Sequence, residues 1–179
     1  MSNTKYMINR GLAFSEEQDM RQLNEYAKQG WLLEGFAGGG FFFKLKKGTP
    51  QEVQYNLDYQ VNVDEEYFAF FQEAGWKHIC STGHIHIFQA PINTKPIYSD
   101  QSTLIDKYEH VASFTGKYAF FSLLLTLLFG VLLKLSFMFQ IPSVISYICI
   151  VLMLLSVVLL VFTGLPYLAY LRKRKKLLN

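Results

Sequence analysis

The stretch SVISYICIVLMLLSVVLLVFTGL, residues 143–165, contains no charged side chain. As a helix it rises about 1.5 Å per residue, enough for the roughly 30 Å hydrocarbon core of a bilayer. A second apolar stretch, 114–133, precedes it, and the two predict a transmembrane hairpin over 114–171 with a short turn around 134–142. Arg172, Lys173, Arg174, Lys175 and Lys176 follow directly. Short basic flanks stay on the cytoplasmic side, so the tail 172–179 is expected inside, and an even number of crossings places residues 1–113 there too. The start of the chain, Met1 to Tyr6, lacks the apolar core and small-residue cleavage site of a signal peptide, in keeping with that orientation.

Composition divides at the same place. The chain is 51% hydrophobic and only 17% charged, with the apolar excess concentrated after Phe114. The formal charge of +3 comes largely from the tail. The first part shows no basic patch with interleaved stacking aromatics, which argues against nucleic acid as a partner. Cys80 lies in the soluble part and Cys149 inside the second apolar stretch, so no internal disulfide is expected.

Residues 1–95 carry an internal repeat. A shift of 45 residues pairs Gly30 and Trp31 with Gly75 and Trp76, Gly38 with Gly83, and Phe43 with Phe88. In the first copy, Ser15 with Gln18 reads as a capping box, Glu16, Glu17 and Asp19 suit a helix start, and Met20, Leu23 and Ala27 form an apolar stripe ended by Gly30. In the second, Asp64 reads as the N-cap, Glu65 and Glu66 fill the first turn, and Gly75 is the left-handed stop. Strands follow each helix at 31–37 and 41–45, and at 76–80 and 84–89. Extended segments precede them at 5–9 and 53–61. In the latter, Val53, Tyr55, Leu57, Tyr59 and Val61 alternate with polar residues, predicting one buried face. The fold class is therefore α+β: a duplicated β-α-β-β cytoplasmic domain followed by a two-helix transmembrane hairpin. A unit of about 45 residues buries too little to stand alone, so the copies are expected to share a core. Pro91 to Pro96 reads as a linker. Within 96–113, Leu104, Ile105, Tyr108, Val111 and Ala112 oppose Asp106, Lys107 and Glu109, predicting an amphipathic juxtamembrane helix that either runs into the first membrane helix or packs on the sheet. Lys117 and Tyr118 suit the interface.

Duplicated strand-helix-strand-strand units resemble, in topology alone, the gyrase-inhibitor-like and SOUL-type domains, several of which hold small hydrophobic or cationic ligands between copies. A fuller resemblance rests on Thr4-Lys-Tyr6, Leu23-Asn-Glu-Tyr-Ala-Lys-Gln-Gly-Trp31, Val53-Gln-Tyr-Asn-Leu-Asp-Tyr59, Ala74-Gly-Trp76 and Ile87-Phe-Gln-Ala-Pro91, with a hairpin after them. In these the chain is similar to DUF2812, an uncharacterised bacterial membrane-protein family. The resemblance implies a multi-pass protein of the bacterial inner membrane and a PadR-like regulator as a neighbour, and it supplies no catalytic residues.

The segment His78-Ile-Cys80-Ser-Thr-Gly-His84-Ile-His86 gathers three histidines and a cysteine in one hairpin. With a three-residue turn Ser81-Thr82-Gly83 they share a face and could bind zinc or copper; with the turn Thr82-Gly83 they split between faces and could not. The matching positions of the first copy, Leu33, Gly35, Gly39 and Phe41, are not ligands, so no metal and no other cofactor is expected. Trp31 and Trp76 follow the helix-stopping glycines and suit the core under each helix. With Phe41, Tyr55 and Tyr59 they could instead line a groove, where Glu34 or Asp58 would receive a cation. The Gly38-Gly39-Gly40 run joins two strands without a following helix, so it is a hairpin turn and not a phosphate loop.

No Ser/His/Asp or Cys/His set stands at recognisable spacing, and 135–171 holds no ionisable Asp, Glu, Lys, Arg or His that could relay protons. The expected function is a non-catalytic, membrane-anchored sensing or interaction protein that binds a small apolar or cationic ligand or a regulatory protein. The alternative is an accessory subunit of an efflux-type membrane complex acting through the hairpin, where Gly130, Ser146 and Ser156 could mediate contacts with partner helices or a second copy.

Overall fold

The computed structural model describes residues 3–140 and 142–178. The chain divides into two compact units, Met1–Leu104 and Ile105–Asn179. The first holds β1 (Thr4–Ile8), α1 (Leu12–Lys28), β2 (Trp31–Ala37), β3 (Phe42–Lys47), β4 (Val53–Tyr59), α2 (Glu65–Glu73), β5 (Lys77–Thr82) and β6 (Ile85–Pro91). Two antiparallel three-stranded sheets result, ordered β1-β3-β2 and β4-β6-β5, so in each the strand after the helix lies at an edge and the last strand lies in the middle. The fold class is α+β.

Both halves contribute to one core. α1 packs across β2 of its own sheet and β4 of the other. The Asn24 side-chain oxygen accepts from the Tyr55 backbone N–H (2.8 Å), and the Leu33 backbone N–H donates to the Tyr55 hydroxyl (3.2 Å). Phe43, Leu45, Leu57, Ile87 and Phe88 are fully buried.

The start of α2 follows its local signals, and the start of α1 does not. Asp64 Oδ1 accepts from Tyr67 N–H at 2.9 Å, and Glu65 and Glu66 sit in the first turn. α1, by contrast, begins at Leu12, and Ser15, expected as its cap, is an internal kink at φ −125°, ψ 21°. The expected helix-start acid Asp19 therefore falls in the second turn. It is fully buried and accepts from the Arg10 backbone N–H (3.1 Å) and Nε (2.9 Å), closing the loop into the helix. Val61, expected on the buried face of its strand, is exposed, because β4 ends at Tyr59 and Asn62 turns the chain at φ 57°.

The β5–β6 hairpin takes neither expected register. Thr82 pairs with Ile85, so the turn is Gly83-His84, with Gly83 at φ 56°, the first-position glycine that two-residue II′ turns use. The β2–β3 connection is two residues longer, since Ala37 pairs with Phe42. The 45-residue correspondence therefore shifts by two beyond the turn. Leu45, and not Phe43, is the counterpart of Phe88, and the inward face survives because strand side chains alternate with period two.

Pro91 to Pro96, expected as a linker, is tied to the second sheet as a strap. The Gln54 side-chain amide donates to the carbonyls of Pro91 (3.1 Å) and Thr94 (2.7 Å), Trp76 Nε1–H donates to that of Lys95 (3.0 Å), and Ile97 packs on Phe71 and Trp76.

The second unit contains most of α3 (Gln101–Met138) and all of α4 (Ser143–Leu178), both long and apolar enough to cross a membrane. The amphipathic segment is continuous with the first apolar stretch. Lys134, expected in the turn, is still helical, and the basic residues expected as a tail form the last turns of α4, where cations offset the helix dipole. Contacts between Ser122 and Thr163 (2.9 Å), Ser136 and Ser146, and Tyr108 and Tyr170 join the helices as an antiparallel pair. Ser146 and Ser156 are buried within the chain itself, Ser146 against Ser136, and a Cβ on Gly130 would meet nothing within 4 Å.

Candidate functional site: a polar row beneath α2

Register aligns two rows of side chains that correspond between the sheets. In the first, Met7, Phe43 and Phe36 lie across β1, β3 and β2; in the second, Asp58, His86 and Ser81 lie across β4, β6 and β5. The first row is apolar, with Met7 and Phe43 buried and the Phe36 and Phe43 rings 5.4 Å apart. The second is polar at all three places, although Asp58 is only 8% and His86 only 3% exposed. Burying such groups is costly unless each finds a hydrogen-bond partner, and each does.

The His86 ring bonds the Gln60 carbonyl through Nε2 (3.1 Å) and Ser81 Oγ through Nδ1 (2.7 Å), while Ser81 Oγ lies 2.8 Å from His78 Nε2. A carbonyl only accepts, so when the His86 ring is neutral its proton lies on Nε2. Nδ1 then accepts from the Ser81 hydroxyl, whose oxygen accepts from His78 Nε2–H. This is a directional relay from the strand end to His78. Burial, assisted by repulsion from His86, pushes the His78 imidazole below its ordinary pKa.

Asp58 does not join the relay. The Tyr67 hydroxyl from α2 donates to its Oδ2 (2.8 Å), and the Tyr98 hydroxyl from the strap donates to its Oδ1. Burial and then the carboxylate charge raise both phenols, so they remain protonated donors. The row has the residue types of a nucleophilic triad but not its wiring, because the carboxylate holds phenols and a carbonyl orients the imidazole.

His78 also lines a cleft of about 440 Å³ with Phe68, Gln72, Gly75, Trp76 and Lys77. Where α1 meets β4, a second cleft of about 300 Å³ is lined mainly by polar and charged residues, Glu16, Glu17, Arg21, Asn24, Gln54 and Asn56 among them. Of the aromatics expected to line a groove between the copies, Tyr55 borders this cleft.

The other expected site residues are dispersed. Tyr55, Tyr59 and Trp76 are core side chains, and the Tyr59 ring lies 6.1 Å from that of His84. Trp31 is half-buried beneath Lys47 (4.8 Å) and Lys5 (5.7 Å). Glu34 is the bulge residue of β2 and pairs with Lys44 (2.7 Å) and Lys46 (3.9 Å), Lys44 pulling its carboxyl below the usual range. Phe41 is 59% exposed. The histidine hairpin divides: His78 and His86 share a face, Cys80 pairs with Ile87 on the other, and His84 lies in the turn. Burial pushes the Cys80 thiol up to about 12, leaving little thiolate for a metal. Among the described residues, no three His, Cys, Asp or Glu side chains are grouped to hold an ion.

Sequence reasoning missed Tyr67, Ser81 as a relay member, and Tyr98. Tyr67 was within reach, since it stands four places before Phe71, one helical turn along the same apolar face. Tyr98 carries no local signal.

Neither the comparison with curated proteins nor that with solved structures returns a match. Among protein families, residues 15–120 match the one described as Protein of unknown function (DUF2812), a span from within α1 through β2 to β6 and the strap into α3. The chain therefore belongs to the DUF2812 family.

Proposed function

We propose that this protein is a membrane-anchored sensing or interaction protein, without catalysis of its own, whose second sheet reports occupancy to the helix that follows it. The observation that carries the reading is the Asp58 clamp: one buried carboxylate holds α2 through Tyr67 and the strap through Tyr98, three residues before α3 begins. A molecule entering the cleft beside His78 would press on Phe68 and α2, and so on that clamp. Lys77 at the rim disfavours a cation, while Phe68 and Trp76 favour a small apolar or aromatic ligand, or an apolar side chain of a protein partner such as a PadR-like regulator. The polar cleft of Glu16 and Glu17 suits a cation better. On this reading the two sheets are copies of one unit, α3 and α4 cross the bacterial inner membrane, and the basic end of α4 keeps both termini cytoplasmic.

The test uses the full chain in nanodiscs, titrated with a panel of apolar, aromatic and cationic compounds. A ligand of this cleft at about 100 times its Kd should stabilise the fold by about 2.7 kcal/mol, and Tyr98→Phe should preserve binding while uncoupling it from hydrogen exchange at the start of α3. If no compound shifts unfolding while one membrane protein co-purifies through the hairpin, the sensing reading fails and the accessory-subunit reading replaces it.

A further inference from the structure

We propose that a cleft between α3 and α4 holds the phosphate of an anionic membrane phospholipid. The cleft, of about 420 Å³, has a polar end formed by Glu109, Ser113, Lys117 and Arg174 and an apolar end formed by Phe120, Tyr167 and Leu171. Gly116 sets one wall of it: a Cβ there would stand 2.8 Å from the Tyr167 ring, so a larger residue would push that ring away from α3.

The charges are poised for an anion. Arg174 gives one arm of its guanidinium to Glu109 (Nη2 to Oε2, 3.2 Å), and its side chain stays 36% exposed. A guanidinium presents its donors in a fork that suits phosphate oxygens. Lys117 is exposed and makes no ion pair among the described residues. Lys117 and Arg174 against Glu109 leave one net positive charge, enough for a phosphodiester, with the Ser113 hydroxyl as a further donor.

Height selects a lipid over a free anion. From Lys117 to its end at Met138, α3 rises about 30 Å, one hydrocarbon thickness, so the polar end of the cleft lies at headgroup level and Phe120 lies where acyl chains begin. The neighbouring cations of α4 raise the local concentration of anionic lipid, and the cleft supplies the fixed position. This rests on the reading that α3 and α4 cross a bilayer.

The full chain is placed in nanodiscs of phosphatidylcholine with a minor fraction of phosphatidylglycerol, and lipid retained after detergent exchange is counted by native mass spectrometry. About one phosphatidylglycerol per chain should remain. Retention should fall at least tenfold in Lys117→Gln and in Lys117→Gln/Arg174→Gln, and persist in Lys175→Gln/Lys176→Gln, which removes the same charge outside the cleft. Lys117→Gln alone disturbs no ion pair, so its result does not depend on folding. Equal loss in the control pair would mean diffuse attraction to the tail and would overturn the proposal. Displacement of the lipid by millimolar inorganic phosphate would also overturn it, in favour of a free-anion site. Release of the chain from membranes by alkaline carbonate would defeat the membrane reading and this proposal together. Firm retention of the chain without lipid selectivity would defeat this proposal alone.

Discussion

The two sheets share a strand order and differ in what covers them. Trp31 and Trp76 both follow a left-handed glycine at the end of a helix, yet Trp76 is 2% exposed and bonded to the strap, while Trp31 is half-buried under lysine side chains. The difference comes from chain that exists on one side only. The strap after β6 closes the second sheet and has no counterpart after β3, where the polar loop 48–52 leads to β4. The apolar row of Met7, Phe43 and Phe36 likewise gives way to Asp58, His86 and Ser81. One topology therefore supports a plain packing face in one sheet and a hydrogen-bonded polar face in the other.

The sharpest way to break this comparison is to truncate both tryptophans. Trp76→Ala removes a buried indole packed among Phe71, Phe88 and Ala90 and should cost about 3–5 kcal/mol. Trp31→Ala loses half-exposed surface and two cation contacts, and about 1 kcal/mol is expected. Urea unfolding of the full chain in nanodiscs, followed by near-ultraviolet dichroism, reads both. Equal losses would mean that the strap contributes nothing to the second sheet.

The glycines before those tryptophans should rank in the opposite order. Gly30 and Gly75 have φ of 80° and 84°, so an alanine at either pays about 1–2 kcal/mol for the left-handed backbone. At Gly30 the added Cβ would also stand 2.6 Å from the Gly48 carbonyl oxygen, which is backbone and cannot swing aside, whereas at Gly75 it meets only the Thr94 methyl at 3.4 Å. Gly30→Ala should therefore lower the thermal midpoint several degrees further than Gly75→Ala. A larger effect at Gly75 would place the rigid junction in the wrong half of the unit.

Much of the architecture was legible because its causes are local. Asp64, Glu65, Glu66 and Gly75 satisfy or terminate α2 within a few residues, and the alternation from Val53 to Tyr59 needs only the neighbouring strand. The polar row was not legible, because it depends on register. Gly83 could open or close the turn between His78 and His86, and each choice moves side chains to different partners. Nothing local in Pro91 to Asp100 shows that Tyr98 reaches Asp58, forty positions earlier, or that Lys95 supplies the carbonyl for Trp76. Polar side chains in a strand read as a solvated face until the donors that cover them are known.

The smallest expected contrast is with pH. In the second sheet His78 stands where the first has Leu33, with Phe68, Phe88, Ser81 and His86 around it and Lys77 beside it in the chain. Its pKa is lowered from an ordinary value of 6.5, chiefly by burial and then by His86. The unfolded chain therefore takes up a proton more readily than the folded one, so stability rises with pH where the two differ. The contribution is complete above about pH 6.5 and is lost progressively as pH falls below that value. Glu34 on the first sheet is held below its ordinary 4.5 by Lys44, so what it contributes is lost only at lower pH, and the two windows separate. Between pH 7 and 5 the wild-type chain should lose stability with a slope that His78→Gln reduces, while Glu34→Gln leaves that slope unchanged. Identical slopes for wild type and His78→Gln, measured by urea midpoint across the series, would mean that the imidazole is as easily protonated in the folded protein as in the unfolded one, and that its burial beside His86 does not disfavour the charge.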